Sequence, residues 1–162
     1  METESKAKLQ ALRLLKVRPR SEQELRKRLL GKGFGPADVE ALLEQLKRKE
    51  LINDVKFARY FATQKMLSKP VGRRLLNNSL RAKGISPEIA AGAVEKATEG
   101  IEEIEVARQL ALGRLSSIRG LDRPAAQRRL FGFLSRRGFS SEVVYRVVRE
   151  LGQNPPDEAP SP

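Results

Sequence analysis

The sequence Leu29-Leu30-Gly31-Lys32-Gly33-Phe34 recurs in outline twice more along the chain, as Leu80-Arg81-Ala82-Lys83-Gly84-Ile85 and as Leu134-Ser135-Arg136-Arg137-Gly138-Phe139. Each copy has a leucine four residues before a glycine, a basic residue directly before that glycine and a large apolar residue directly after it. The copies follow one another at a period of roughly 50 residues, which is long enough for three short helices. The chain is therefore predicted to contain three tandem repeats.

The spacing is typical of a Schellman ending, in which a glycine beyond the helix takes the left-handed conformation and the next apolar residue folds back onto the last turn. It predicts contacts of Leu29 with Phe34, Leu80 with Ile85, and Leu134 with Phe139. One helical turn earlier stand Leu25, Leu76 and Leu130, so that each of these helices has an apolar face. We call this element of each repeat helix b.

A further helix is predicted on each side of helix b. Helix a carries apolar residues at helical spacing, namely Leu9, Leu12 and Leu15; Val55, Phe57, Ala58, Phe61 and Ala62; and Ile104, Ala107, Leu110, Ala111 and Leu115. Helix c does the same with Val39, Leu42, Leu43 and Leu46; Ile89, Ala93 and Val94; and Val143, Val147, Val148 and Leu151. Helix c starts at Gly35-Pro36, Ser86-Pro87 or Ser140-Ser141, and a capping box of Ser21 and Glu24 starts the first helix b.

The sequence thus predicts an all-α protein, with nine helices in three tandem three-helix repeats that form an elongated, curved molecule. The repeats are placed at residues 5–53, 54–100 and 101–151. Residues 152–162 contain four prolines and no periodicity, and they are predicted to form a disordered tail.

The amino-acid composition limits the classes of function that this protein can have. The 162 residues include 32 Lys and Arg against 20 Asp and Glu, which gives a formal net charge of +12, and they include neither His nor Cys. Because imidazoles and thiols are the usual general bases, nucleophiles and metal ligands, we expect a protein that is not an enzyme and uses no cofactor or metal. The polar start and the lack of a long apolar run predict a cytoplasmic protein without a membrane partner. The positive charge favours a polyanionic or acidic partner.

The charge is concentrated in helix b. Helix c is nearly neutral in every repeat, which argues against helix-turn-helix modules that read DNA bases with the helix after the turn. The acidic cluster of Glu102, Glu103 and Glu105 stands at a predicted helix start, where the helix dipole explains it better than a metal does. The candidates for binding a partner or DNA are therefore the basic residues of helix b: Arg26, Lys27, Arg28, Lys32, Arg73, Arg74, Arg81, Lys83, Arg128, Arg129, Arg136 and Arg137.

A family resemblance adds to this interpretation. The stretch Leu51-Ile52-Asn53-Asp54-Val55-Lys56-Phe57-Ala58-Arg59-Tyr60-Phe61 resembles the signature L-I-[DN]-D-x-x-F-A-x-x-[YW] of the RecX regulatory proteins, which are built from tandem three-helix repeats. Lys69-Pro70-Val71-Gly72-Arg73-Arg74 and the helix endings at Gly84 and Gly138 extend the resemblance. Asn53 stands where Asp is common in the family, and Ser79 stands where Glu is usual.

The resemblance implies a regulator of the RecA recombinase. Such a protein binds in the helical groove of the RecA filament on DNA and restrains the ATPase, strand-exchange and coprotease activities of RecA. We expect it to act as a monomer and to contact DNA weakly or within the filament. The residues themselves leave a second possibility open, an autonomous and nonspecific DNA-binding protein that uses its basic helical repeats.

Overall fold

The structure is a computed structural model that describes the backbone of residues 2–153 and the side chains of residues 4–152. Within these residues it contains helices and no strand, as predicted. The helices are α1 (Glu2–Val17), α2 (Glu22–Leu30), α3 (Pro36–Arg48), α4 (Asp54–Ser68), α5 (Arg73–Ala82), α6 (Pro87–Ala97), α7 (Glu103–Leu112), α8 (Leu115–Ile118), α9 (Arg123–Arg136) and α10 (Ser141–Gln153).

The three predicted helix endings are confirmed at α2, α5 and α9. Gly33, Gly84 and Gly138 have φ angles of +87°, +80° and +84°. The apolar residue after each glycine donates its N–H to the predicted leucine, from Phe34 to Leu29, from Ile85 to Leu80 and from Phe139 to Leu134, at 3.3, 3.2 and 3.4 Å. Each glycine also closes the shorter bond of the Schellman motif, as Gly33 does to the carbonyl of Leu30.

The predicted helix starts are confirmed as well. Ser21 and Glu24 form a reciprocal capping box on α2. Gly35 is the N-cap of α3, whereas Ser86 and Ser140 accept from backbone N–H groups in the first turns of α6 and α10. These bonds satisfy donors that have no partner inside the helix.

The described residues fall into two compact units, which divide after Gln64, Leu76 and Ala97. The first unit takes the residues up to Gln64 and those from Asn77 to Ala97, and the second takes the rest. The boundaries of the three sequence repeats near Asn53 and Gly100 stay predictions. The residues of the predicted tail beyond Gln153 lie outside the described residues.

The first unit has an aliphatic core in which α1 uses a different face from the predicted one. Leu25 and Leu29 of α2 are buried with Val39, Leu42, Leu43 and Leu46 of α3, as the periodicity predicts. On α1, however, Ala7 and Ala11 are buried, whereas Leu9 and Leu12 are 51% and 37% exposed. The prediction that Leu9 and Leu12 face the core was wrong, because small alanine side chains let α1 approach α2 and α3 closely.

The core of the second unit joins α7, α9 and α10 through Ala107, Ala111, Leu130, Leu134, Phe139, Val144, Val147 and Val148. Val144 was missed by the sequence pattern, and Val143 and Leu151 are only partly buried against this cluster. The single long helix predicted up to Leu115 is two helices instead. Gly113 ends α7 by donating to the carbonyl of Gln109, and Leu115 begins the four-residue α8, so that the described residues hold ten helices rather than nine.

Candidate binding surfaces

Arg26 is tied to acidic residues of its own unit. Its guanidinium donates to Glu40 at 2.6 Å and to Glu22 at 2.7 Å. The hydrogen bond with Glu40 is the main reason that the pKa of Arg26 is raised, and Glu22 adds to the effect. This predicted binding residue therefore has its charge compensated within the fold.

Lys83 and Arg81 are also engaged within the first unit. Lys83 donates to Glu24 at 2.8 Å and lies over the ring of Phe61, 5.1 Å from its centroid. Arg81 donates to the carbonyl of Ile85 at 2.6 Å, beyond the end of α5. Both cations thus stabilise the turn after α5.

Glu24 is the acid that several of these groups share. Burial alone would raise its pKa, but hydrogen bonds from Arg18 and Lys83, the charge of Lys83 and the N–H of Ser21 outweigh burial and lower the pKa to about 2. Arg18 donates two hydrogen bonds to this carboxylate, at 3.1 and 3.2 Å. Glu24 therefore stays ionised at neutral pH, with its charge already balanced.

Three other predicted residues meet in a groove of about 460 Å³ within the first unit. Its lining consists of Arg18, Arg20, Glu24, Lys27, Arg28, Gly31 and Lys32, and we call it the cationic groove. Lys27, Arg28 and Lys32 have no acidic partner among the described residues. The groove thus holds more positive charge than its one carboxylate can balance.

Arg20, like Arg18, lines the cationic groove but was not among the binding residues predicted from the sequence. It lies between α1 and α2, is only 7% exposed and donates through Nε to the carbonyl of Leu14 at 3.2 Å. Its Nη1 is buried and has no hydrogen-bond partner among the described residues. Burial, and then the positive charges of Arg18 and Arg28, lower the pKa of Arg20. Nothing in the local sequence distinguishes Arg20 from the other cations near Pro19.

Arg73 and Arg74 lie at the start of α5, within the second unit, and both side chains are exposed. The backbone N–H of Arg73 donates to Glu103 at 2.9 Å. The guanidinium of Arg74 donates to the carbonyl of Ser135 at 3.1 Å, close to the end of α9. The predicted pair is therefore accessible, and Arg74 also holds part of its own unit together.

The predicted arginines of α9 gather beside α8. A cavity of about 560 Å³ is lined by Arg114, Ser117, Ile118, Ala125, Arg128, Arg129, Leu130, Gly132, Phe133 and Arg136, and we call it the arginine cavity. Arg114 and Arg137 lie over the ring of Phe133, at 4.6 and 5.4 Å from its centroid. Arg128, Arg129 and Arg136 make no ion pair within the described part of the chain. Arg114 was not a sequence candidate, because the sequence placed it in helix a rather than in helix b, whereas the structure places it between α7 and α8.

The acidic cluster is spread along the start of α7. Glu102 is the N-cap, Glu103 accepts from the backbone of Arg73, and Glu105 pairs with Arg108. No group of three or more acidic residues in the described ranges is arranged to hold a metal ion. Likewise, none of the helices between residues 2 and 153 combines the length and hydropathy of a membrane span.

These observations define a class: an all-α helical-repeat protein that carries uncompensated cations in a groove of one unit and a cavity of the other. Three family models match in tandem. They are the first, second and third three-helix domains of RecX, at residues 7–46, 53–94 and 101–148 respectively. The chain therefore belongs to the RecX family, as the signature at Leu51–Phe61 suggested.

Individual relatives agree with the family models. The chain is 39% identical over 145 residues to "Regulatory protein RecX" of Amycolatopsis mediterranei, which covers 90% of this chain and 82% of the relative. It is 32% identical over 155 residues to the protein of the same name from Chlorobium limicola, covering 96% and 95% of the two chains. The crystal structure of RecX from Lactobacillus salivarius has the same fold, with a TM-score of 0.77 over 94% of this chain and 99% of that one at 22% identity.

Proposed function

We propose that this protein regulates the RecA recombinase without catalysing a reaction, by binding RecA filaments on DNA and restraining their ATPase, recombinase and coprotease activities. The observation that carries the proposal is membership of the RecX family, whose three domain models match the chain in tandem at residues 7–46, 53–94 and 101–148. The relatives are named regulatory proteins. RecA as the partner is what the family resemblance implies.

The uncompensated arginines support this function. A RecA filament on DNA offers phosphates and acidic side chains. Cations that are not paired within the fold can bind these groups without first breaking an ion pair of their own. Arg128, Arg129 and Arg136 of the arginine cavity meet this condition. The exposed pair of Arg73 and Arg74 offers a second contact in the same unit.

The direct test titrates the protein into a DNA-dependent ATPase assay of RecA. We expect the ATPase rate to fall in a saturable manner as the protein is added. An unchanged rate and filament lifetime at saturating protein would reject the proposal. Tight DNA binding together with that lack of effect would favour the autonomous DNA-binding protein instead.

Charge-reversal variants test whether Arg73 and Arg74 contact the filament. Arg73→Glu/Arg74→Glu should weaken filament binding by about tenfold or more, because each change replaces attraction by repulsion. Lys49→Glu/Arg59→Glu is the matched control, since it changes the net charge equally at exposed positions of the first unit. Circular dichroism should give the same helix content for all three proteins. Equal affinity of the Arg73/Arg74 variant and the wild type would remove this pair from the interface.

A further inference from the structure

The cationic groove differs from an ordinary basic patch because one of its cations is buried. Surface lysines and arginines are normally solvated, and buried ones are normally paired. Among the described residues Arg20 is buried without an ion pair, since it is 7% exposed, its Nε donates to the carbonyl of Leu14, and its Nη1 has no hydrogen-bond partner. A nearly buried guanidinium in the lining of a groove fixes a positive charge beside any anion that binds there.

We propose that the cationic groove, whose lining includes Arg20, binds the phosphate groups of a nucleic-acid backbone. The proposal deepens the proposed function, because it assigns to the first unit a contact with the DNA on which a RecA filament stands. It adds Arg18 and Arg20 to the predicted residues Lys27, Arg28 and Lys32.

The charges of the groove favour an anion. Five cations and one carboxylate line it, and that carboxylate, Glu24, already accepts hydrogen bonds from Arg18 and from Lys83. Arg20, Lys27, Arg28 and Lys32 form no ion pair with an acid in the part of the chain that the structure describes. Burial, and then the like charges of Arg18 and Arg28, disfavour the protonated form of Arg20 more than the charge of Glu24 favours it, and a bound anion would offset that repulsion.

The lining of the groove favours phosphate over an acidic protein segment. Among the residues that line it, Gly31 alone carries no charged side chain, so the groove offers no apolar or aromatic side chain as an anchor. Protein–protein interfaces bury apolar and aromatic residues at their centre, whereas interfaces with nucleic acids are polar and strongly positive. The groove also lacks an aromatic side chain on which a base could stack, and we therefore expect binding to be independent of nucleotide sequence.

The experiment uses the full chain without RecA, with a fluorescein-labelled dT12 oligonucleotide followed by anisotropy. Lys27→Gln/Arg28→Gln should weaken binding at least tenfold, because it removes two phosphate contacts at exposed positions that leave the core intact. Lys49→Gln/Arg59→Gln loses the same charge just after α3 and on α4 of the same unit, and it should change affinity less than twofold. Equal losses in the two variants would overturn the proposal in favour of diffuse charge attraction.

Inorganic phosphate, followed by NMR, tests Arg20 itself. Phosphate should shift the Nε–Hε resonance of Arg20 and compete with dT12, and Arg20→Lys, if folded by circular dichroism, should weaken dT12 binding more than the Lys49/Arg59 control does. An unmoved Arg20 resonance would overturn the assignment of this residue. Binding of phosphate without dT12 would overturn the nucleic-acid assignment, and equal competition by a poly-glutamate peptide would favour an acidic protein instead.

The two proposals can fail separately. The anisotropy and NMR measurements contain no RecA, so that an inactive protein in the RecA ATPase assay would reject only the proposed function. Conversely, regulation of RecA by a protein that shows no groove-specific binding of dT12 would reject only the phosphate site.

Discussion

At the scale of single residues, two glycines with the same backbone conformation have different surroundings. Gly33 and Gly138 both end a helix with a positive φ, at +87° and +84°. A Cβ on Gly33 would meet nothing within 4 Å, whereas a Cβ on Gly138 would collide with the backbone and Cβ of Leu75. At position 33 only the backbone conformation requires a glycine. At position 138 the close approach of another chain segment requires one as well.

This difference predicts unequal effects of alanine. Gly33→Ala should lower the free energy of unfolding by about 1 kcal/mol, since left-handed strain exceeds the entropy that alanine saves. Gly138→Ala should lower it by about 3 kcal/mol, because the backbone of Leu75 must also move. Urea denaturation measures both, and Gly92→Ala, with open space around its position in α6, serves as a control that should not destabilise the fold. Equal losses at Gly33 and Gly138 would contradict the close approach.

At the scale of helices, Asp54 connects the start of α4 with the start of α2. Its carboxylate accepts from the backbone N–H of Glu22 at 2.9 Å, while Asn53 caps α4 itself by accepting from Lys56 at 3.0 Å. Asn53 and Asp54, which are neighbours in the signature at Leu51–Phe61, thus cap two different helices. Burial, followed by the negative charge of Glu22, raises the pKa of Asp54, because its hydrogen bond does not fully offset these effects.

Substitutions at Asp54 should separate the cap from the charge. Asp54→Asn keeps an acceptor oxygen and removes the partly buried charge, and it should leave the unfolding free energy at pH 7 unchanged within about 0.5 kcal/mol. Asp54→Ala leaves the N–H of Glu22 without its cap and should cost about 1 kcal/mol. A raised pKa means that the stabilisation by Asp54 is complete below its unfolded pKa of about 3.9 and declines as the pH rises through the folded value.

Urea denaturation at several pH values checks this pair of variants. Because Asp54→Asn removes only this titration, the unfolding free energy of the wild type relative to that of Asp54→Asn should decline as the pH rises through the folded pKa of Asp54. If Asp54→Ala were as stable as Asp54→Asn at pH 7, the cap on α2 would contribute nothing.

The helices also show which features a sequence determines locally. The endings at Gly33, Gly84 and Gly138 and the cap at Ser21 were predictable because each depends on residues within one or two turns. Other features depend on segments that folding brings together, and the sequence did not predict them. They are the exposure of Leu9 and Leu12, the cap from Asp54 to Glu22, and the ion pair of Lys83 with Glu24. For the same reason the sequence identified the basic residues of helix b but did not distinguish Arg26, which is paired, from Arg28, which is not.

At the scale of the whole molecule, the count of 32 Lys and Arg residues overstates how many cations are available to a polyanion. Arg18, Arg26, Lys47, Lys56, Lys83, Arg108 and Arg146 all form ion pairs with acids of the same chain. Such pairs must be broken or shared before their cations can neutralise a phosphate. Binding to a nucleic acid should therefore depend on the few unpaired cations that share a surface.

The salt dependence of binding measures that number. Each phosphate neutralised on a single strand releases counterions and contributes about 0.7 to the slope of log K against log salt concentration. If Arg20, Lys27, Arg28 and Lys32 provide the contacts with dT12, the slope should be about −3. Attraction by all of the net charge of +12 would instead give a slope of about −8. Anisotropy titrations from low to moderate salt distinguish these values. Because Lys27→Gln/Arg28→Gln removes two of the four contacts, it should halve the slope. The control Lys49→Gln/Arg59→Gln should leave the slope unchanged. A steep slope that responds equally to both variants would mean that the whole basic surface binds the nucleic acid.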